Sequence, residues 1–234
     1  MNMARVVEPE LLDQLAASDP RAIRSRGDLK RINWLMGTTG LLANALDPLL
    51  ANRPDSHIIE LGAGDGSVLL RVARVRKKRL PPMRLGLLDM QPVVSASVLD
   101  RYRAIGWTPD VIQADVFDWL AKTDPAKRDA PIIVANLFLH HFDGPRLTEL
   151  MHGIAACAHA FVCLEPRRSS TALMGSHLLG AIGCNAVTRH DAVVSVRAGF
   201  DDGELSAQWP AVGRWKLSEG KAGWFSHRFV ATRA

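Results

Sequence analysis

The feature that most constrains the fold of this chain is an alternation of short apolar runs with helical stretches over residues 57–166. A helical pattern over about residues 67–79 follows the first run. The runs are HIIEL, RLGLLD to Asp89, DVIQAD to Asp115, PIIVANLFL to Leu139 and AFVCLEP to Pro166. Such alternation predicts a parallel sheet with crossover helices. Because the runs are almost continuously apolar, we expect the strands to be covered on both faces.

The segments on either side complete the predicted architecture. Residues 9–50 repeat apolar side chains at helical spacing, and Ser18 and Asp19 precede Pro20 as at a helix start. The C-terminal sequence GRWKLSEGKAGWFSHRFVAT predicts two strands joined by a glycine-containing turn, which is an antiparallel hairpin. We therefore expect an α/β fold: a doubly wound sheet of seven strands, the last antiparallel, with a helical N-terminal extension.

The length of 234 residues suits one compact domain with additions. We expect a helical extension or lid over residues 1–52 and the sheet domain over residues 53–234. Within the second part, residues 167–209 contain two helical patterns before the hairpin. Insertions at the carboxyl end of a strand usually build a pocket wall, so we expect this segment to cover a substrate.

Composition favours an ordinary globular protein, with 47% hydrophobic and 23% charged residues, and the sparse cysteines favour a reduced cytoplasmic compartment. The first residues meet Glu8 and Glu10 early, so we expect no secretory signal peptide, and no apolar run is long enough to cross a bilayer. Cys157, Cys163 and Cys184 have neither the density of a disulfide framework nor CxxC metal spacing. We expect inert thiols and no metal site.

The net charge of +5 would suit a nucleic-acid partner, but much of it lies in the run RVARVRKKRL. That run continues the helix predicted after the glycines, where basic side chains favour the helix dipole and point into water. No aromatic residues that could stack on bases are interleaved with it. A solvated helix face is therefore favoured and a nucleic-acid partner is not expected, although the run leaves an RNA-directed activity as an alternative.

A glycine-rich turn, ELGAGDGS, follows the first predicted strand. Gly62, Gly64 and Gly66 have GxGxG spacing, which differs from the GxGxxG of pyrophosphate-binding turns. Glu60 precedes the turn and Asp65 lies within it, whereas a pyrophosphate favours helix N-terminal amides without a nearby carboxylate. A bound ligand should therefore tolerate negative charge. The alternative is a tight strand-to-helix turn without a ligand.

This stretch resembles the first motif of class I S-adenosylmethionine-dependent methyltransferases. The resemblance covers roughly residues 58–166, with the motifs in the family's order. It implies a Rossmann-like fold, S-adenosyl-L-methionine as cofactor, and methyl transfer. In the family, the acid at the position of Glu60 approaches the amino end of the methionine portion, and the turn residues, including Ala63, admit it. A sulfonium and an ammonium would account for the nearby acids.

The resemblance extends to later positions of the chain. Asp89, followed by Met90, stands where the family has an acid that hydrogen-bonds the ribose hydroxyls; the alternative is an Asp that caps the following turn. Asp115 matches the acid that accepts from the adenine amino group, while the Val116 amide meets a ring nitrogen; the alternative is a helix cap. Asn136 occupies the fourth-motif position, without the [DN]PPY signature of amino-methylating enzymes.

The family passes the methyl group at the end of the fourth strand, here ANLFLHHFDG. A base is needed there only if the acceptor loses a proton, and His suits a phenol or hydroxyl. His140 and His141 are the candidate catalytic residues, and their adjacency predicts that they face different ways, with His140 beside the acceptor. A buried, hydrogen-bonded His is the alternative. Glu165 could order the acceptor or His140, or be solvated at a strand end.

Other stretches point to the acceptor. Asn33 and Trp34, on the helical extension, could fold over the cofactor and contact the acceptor, unless the Trp packs between helices. TRHDAVVSVRAGF and RINWLMG are similar to segments of one subgroup of small-molecule methyltransferases and imply a phenolic or polyketide-derived acceptor. Within the former, Arg189, His190 and Asp191 are expected to form a structural charge cluster.

These residues together predict a methyltransferase acting on a small aromatic or hydroxylated metabolite. The alternatives are an RNA- or protein-directed methyltransferase, a binding module that holds the cofactor without transfer, and a dehydrogenase. We expect a small-molecule acceptor as partner, and the sequence leaves a homodimer open.

Overall fold

The computed structural model describes residues 3–51, 57–76, 81–123, 130–211 and 215–234. Within these ranges the strands form one seven-stranded sheet of order β3-β2-β1-β4-β5-β7-β6. The strands are β1 (His57–Leu61), β2 (Arg84–Asp89), β3 (Thr108–Gln113), β4 (Ile132–Asn136), β5 (Ala160–Pro166), β6 (Trp215–Ala222) and β7 (Ser226–Arg233). Strands β1 to β5 pair in parallel, and β7 is antiparallel to both β5 and β6. The predicted sheet, with its antiparallel last strand, is confirmed.

Helices cover both faces of the sheet. They are α1 (Pro20–Leu35), α2 (Thr38–Ala51), α3 (Ser67–Val75), α4 (Ala96–Arg103), α5 (Val116–Lys122), α6 (Gly144–Cys157), α7 (Ser170–His177), α8 (Ala186–Ala198) and α9 (Glu204–Gln208). Within the described residues, three short 3-10 helices span Leu12–Gln14, Leu139–His141 and Leu178–Ile182. Helices α2, α3 and α4 pack on one face, and α5, α6 and α9 on the other. Helices α3, α4, α5 and α6 alternate with the parallel strands, as the sequence predicts.

Alternate residues of a strand join opposite cores, which explains the apolar runs. Ile58 is buried in the core under α2 and α3, and Ile59 in the core under α6. The expectation of two covered faces is wrong for β3, where Val111 is 42% exposed. Among the strands that the structure describes, β3 pairs only with β2 and lies at the edge of the sheet, so less of it is covered.

Several predicted boundaries shift in the structure. Helix α1 begins where predicted: Asp19 is the N-cap, its carboxylate accepts from the backbone N–H of Arg21, and Pro20 is the first helical residue. Strand β4 ends at Asn136, three residues before the predicted end, because the chain turns into the 3-10 helix Leu139–His141. Helix α3 ends at Val75, and the end predicted at residue 79 lies outside the described residues.

The N-terminal helices differ in how they join the fold. Leu42 and Leu46 of α2 are buried in the main core. Helix α1 instead packs against α8, where Ser25 Oγ lies 2.8 Å from Thr188 Oγ1, and Asp28 accepts from the backbone N–H of Asn185 at 2.7 Å. Across the described ranges, every helix falls short of the length and apolar character that a membrane span requires.

Candidate active site

A cavity of about 600 Å³ lies beyond the carboxyl ends of β1, β2 and β4. This is where doubly wound sheets bind ligands. The predicted site residues that line it are Glu60, Gly62, Ala63, Gly64, Asp89, Met90, Asp115, Val116, Asn136, His140 and His141. Gly66, Glu165 and Trp34 do not line it. The N-terminal region adds residues that sequence reasoning missed, among them Glu10, Asp13, Arg26 and Lys30.

The glycines of the turn serve different purposes. Gly62 has φ +63°, and a Cβ on it would lie 2.4 Å from Cδ2 of Phe138. Gly64 has φ +54°, and a Cβ on it would meet no atom within 4 Å. Both conformations disfavour L side chains. The close approach of Phe138 explains Gly62, whereas Gly64 presents bare backbone to the open cavity.

Glu60 is a buried carboxyl group with an unused acceptor. It is 2% exposed, and within the described part of the chain its Oε2 has no hydrogen-bond partner. Burial, together with the charges of Asp65 and Asp89, raises the pKa of Glu60 well above its ordinary value. Asp65 has a partner, since Lys30 Nζ of α1 lies 2.6 Å from its Oδ2. A cationic ligand group beside Glu60 would relieve its isolation.

Asp89 and Asp115 are already held by the backbone. Asp89 accepts from Gly64 N through Oδ2 and from Gln91 N through Oδ1, both at 2.8 Å. Asp115 caps α5, because its Oδ1 accepts from the backbone N–H groups of Phe117 and Asp118. The turn-capping and helix-capping alternatives therefore both hold. A carboxylate oxygen has two lone pairs, so these bonds leave acceptor capacity toward the cavity.

The turn after β4 is strained and is held by Glu165. Leu137 has φ +54°, which costs a non-glycine residue about 1–2 kcal/mol. Glu165 of β5 is fully buried and accepts from the backbone N–H groups of Phe138, Leu139 and His140 at 3.1, 2.9 and 3.3 Å. It also binds Nδ1 of His140 at 2.8 Å. Of the roles predicted for Glu165, the structure therefore favours orienting His140 over contacting an acceptor.

His140 lies between two carboxylates. Its Nδ1 is bonded to Glu165, and its Nε2 lies 3.2 Å from Oε1 of Glu10. Burial lowers the pKa of His140, but the hydrogen bonds and charges of Glu10 and Glu165 outweigh it and raise the pKa to about 9. For Glu10 the directions are reversed. Burial raises the pKa of this carboxyl group, but the hydrogen bond and charge of His140 outweigh burial and lower the pKa to about 2. At pH 7 His140 is therefore an imidazolium that donates both ring protons.

His141 lines the same cavity, so the expectation that the two histidines face different ways is wrong. Their ring centroids lie 4.3 Å apart, with planes tilted by 33°. The reason is the 3-10 helix Leu139–His141, in which consecutive side chains do not alternate as they do in a strand. Burial and the charge on His140 lower the pKa of His141 to about 4, so this ring is neutral at pH 7.

Glu10, His140 and His141 bring potential metal-ligand atoms within 4.8 Å of one another. Glu10 and His140 bind each other, and Nδ1 of His141 lies 3.3 Å from Oδ2 of Asp13. We interpret this group as a hydrogen-bonded network.

Residues 3–15, called the N-terminal strap below, bring Glu10 to the site. The strap is bonded to α8, where Asp191 accepts from Leu11 N and Leu12 N at 2.8 and 2.9 Å. Ser195 of α8 donates to Oε1 of Glu10. Asp191 thus anchors the strap, which no local signal in TRHDAVVSVRAGF indicates.

Trp34 is 74% exposed and lies outside the cavity, which contradicts both the predicted acceptor contact and the alternative of packing between helices. Its neighbour Asn33 faces inward, and its Oδ1 accepts from Nδ2 of Asn136 at 3.5 Å. In the basic run, Arg71 donates to Lys30 O and Arg76 pairs with Asp47, so both have partners within the chain.

No family model and no curated protein matches the chain. Among solved structures, it is similar to an O-methyltransferase family protein from Burkholderia thailandensis, with 16% identity, 93% of this chain and 61% of that chain covered, and a TM-score of 0.61. It is also similar to the plantazolicin methyltransferase BpumL in complex with SAH, with 12% identity, 95% of this chain and 94% of that chain covered, and a TM-score of 0.64. The mitomycin 7-O-methyltransferase MmcR is 16% identical, with 95% of this chain and 60% of that chain covered and a TM-score of 0.54. The chain thus spans about three fifths of the first and third proteins. These likenesses show the fold.

Proposed function

We propose that this chain, which has the fold of class I S-adenosylmethionine-dependent methyltransferases, transfers a methyl group to a small aromatic or hydroxylated metabolite. The observation that carries the proposal is a single cavity. It joins the glycine turn and three strand-end acids to the His140 and His141 pair. A cofactor and an acceptor bound in the two halves of one cavity would lie next to each other, as group transfer requires.

The donor half fits S-adenosyl-L-methionine. The unpartnered Oε2 of buried Glu60 suits the ammonium group, and Gly64 leaves room for close approach to the backbone. Asp89 would accept from ribose hydroxyls and Asp115 from the adenine amino group, each through a remaining lone pair. Lys30 of α1 brings the positive charge that a cofactor carboxylate needs, beside Asp65. We assign the cofactor contacts on this basis.

The acceptor half supplies alignment and a base. When bound beside Glu60, Asp89 and Asp115, the cofactor would supply an electrophilic methyl group on a sulfonium, with the sulfur as the leaving group. Glu165 holds Nδ1–H of His140, so Nε2 is the atom that can take the proton of the acceptor. While Glu10 binds Nε2, His140 is protonated and cannot do so. His141, neutral at pH 7, can accept a hydrogen bond from the acceptor.

We assign the lid and cover to segments that contact this cavity. Helix α1 and the strap, within residues 1–52, place Glu10, Lys30 and Asn33 on its wall. Within residues 167–209, α8 places Ser195 there and anchors the strap through Asp191. These contacts support a cover that closes over both ligands.

Calorimetric titration with S-adenosyl-L-methionine tests the donor half. We compare Gly64→Ala with Gly37→Ala, because Gly37 also has positive φ, open space for a Cβ and a position outside the cavity. Both variants pay the same kind of backbone strain, about 1–2 kcal/mol. Only Gly64→Ala should weaken cofactor binding, by about tenfold or more, since its Cβ enters the space for the ligand.

The outcomes separate the alternatives. Absence of heat with folded protein, or equal affinities of the two variants, overturns the assigned cofactor site. Transfer of a labelled methyl group to members of a panel of phenols supports the enzyme. Cofactor binding without any labelled product favours a non-catalytic binding module, and salt-sensitive methylation of RNA favours the RNA-directed alternative.

A further inference from the structure

His140 presents only one ring edge to the cavity. Its Nδ1 faces Glu165, which is fully buried, does not line the cavity and has four donors around it. The opposite edge, Nε2, faces Glu10, which lines the cavity with His140. An acceptor hydroxyl must reach a base at about 2.6–3.2 Å to transfer its proton. Glu10 Oε1, at 3.2 Å from Nε2, stands at that distance.

Glu10 is the partner that can leave. Glu165 belongs to strand β5, inside the sheet, and accepts hydrogen bonds from the backbone N–H groups of the strained turn after β4. Glu10 belongs to the strap, which runs outside the named α-helices and strands at that point, and it has a second partner in the Ser195 hydroxyl. Both bonds are made by Oε1 of Glu10, so a movement of this side chain that frees Nε2 also releases Ser195. The Ser195 hydroxyl then keeps an acceptor in the backbone oxygen of Asp191, at 2.8 Å.

The charges around His140 come from four elements. Glu10 and Asp13 lie on the strap side, Glu165 on β5, Asp191 on α8 and His141 on the same turn. Arg5 adds a positive charge near the His140 carbonyl oxygen, at 3.5 Å. Glu10 and Glu165 are the two carboxylates that hydrogen-bond the ring. Removing the charge of Glu10 therefore destabilises the His140 imidazolium more than removing the charge of a nearby group that does not hydrogen-bond the ring.

We propose that Glu10 is a positioning residue for the methyl transfer: its carboxylate binds Nε2 of His140 at the place of the acceptor's hydroxyl, and it must leave before His140 can accept a proton. This inference rests on the proposed function. When Glu10 leaves, the imidazolium loses its second proton to solvent. The acceptor O–H would then take the position of Glu10 and its proton would pass to Nε2. The oxygen would form the bond to the donor's methyl carbon as the bond from that carbon to sulfur breaks, with its electron pair left on sulfur.

The test is an NMR titration of the His140 ring in Glu10→Gln, with Glu8→Gln as the matched control, because Glu8 is an exposed residue of the same strap. In the wild-type protein the hydrogen bonds and charges of Glu10 and Glu165 raise the pKa of the ring to about 9. In Glu10→Gln we expect that pKa to fall by about 1–3, and Glu8→Gln to leave it unchanged. The acid limb of the methyl-transfer pH profile should move down by the same amount.

An unchanged His140 titration in Glu10→Gln, or an equal change in Glu8→Gln, overturns the inference. If Glu10→Gln does not fold, Glu10→Asp decides, since the shorter side chain keeps its charge but withdraws it from Nε2 and should shift the titration in the same direction. A shifted titration in a protein that transfers no methyl group contradicts the proposed function and leaves the Glu10–His140 contact standing. A normal pH profile with an unshifted titration contradicts only the role of Glu10.

Discussion

Glu165 should contribute more to stability than any exposed carboxylate, although it does not line the cavity. The change Glu165→Gln replaces one accepting oxygen by an NH₂ donor. The carboxylate now satisfies four donors at 2.8–3.3 Å, whereas the amide can accept through one oxygen only. About two buried donors therefore lose their partner, at about 1–3 kcal/mol each, and the protonated His140 loses one buried counter-charge. We expect the free energy of unfolding to fall by about 3–5 kcal/mol.

Urea unfolding at pH 7, followed by circular dichroism, measures this loss. The matched control is Glu149→Gln, because Glu149 is exposed and pairs with Arg146 on the surface of α6. Such a surface pair contributes about 0–1 kcal/mol. If Glu165→Gln unfolds within about 1 kcal/mol of the wild-type protein, the four bonds do not hold the turn and the reasoning fails.

Two further changes in stability follow from the site. Gly62→Ala should destabilise the fold by about 1–3 kcal/mol more than Gly64→Ala, because only the first Cβ meets the Phe138 ring; equal urea midpoints would contradict this. The pKa of His140 is raised to about 9 from an ordinary 6.5, so its stabilisation is complete below pH 6.5 and is lost as pH rises through 9. The free energy of unfolding should fall by up to about 3 kcal/mol over that window, and His140→Asn should lack this decrease.

Local chemistry allowed much of the fold to be predicted. The apolar runs give the bounds of β1, β2 and β5, because strand period and turn residues are properties of neighbours in the chain. The Asp19–Pro20 pair marks the start of α1 for the same reason. The order of the strands, however, places β3 at an edge and exposes part of it. The residues of one strand do not indicate which strands will be its neighbours in the sheet.

The donor half of the cavity was predictable to a similar degree. Glu60, Asp89 and Asp115 each stand at or just after a strand, so parallel topology brings them together at one edge of the sheet. Asp89 and Asp115 also accept hydrogen bonds from backbone N–H groups. One carboxylate can therefore both cap a turn or helix and face the cavity, two roles that the sequence analysis treated as alternatives. The assigned ligand contacts remain a proposal.

The acceptor half was decided by tertiary structure. Trp34 is exposed to water because the other side of α1, which carries Ser25, Asp28 and Asn33, is the packed one. These buried residues are polar, so no hydrophobic periodicity in the sequence indicates which side of α1 is packed. Glu10 meets His140 across 130 positions of sequence, and its charge fixes the protonation state of that ring. The sequence by itself determined the strands and the acids at their ends, since these depend on periodicity and neighbours. Only folding decided which charges became buried together, because electrostatic coupling depends on distance and burial in space.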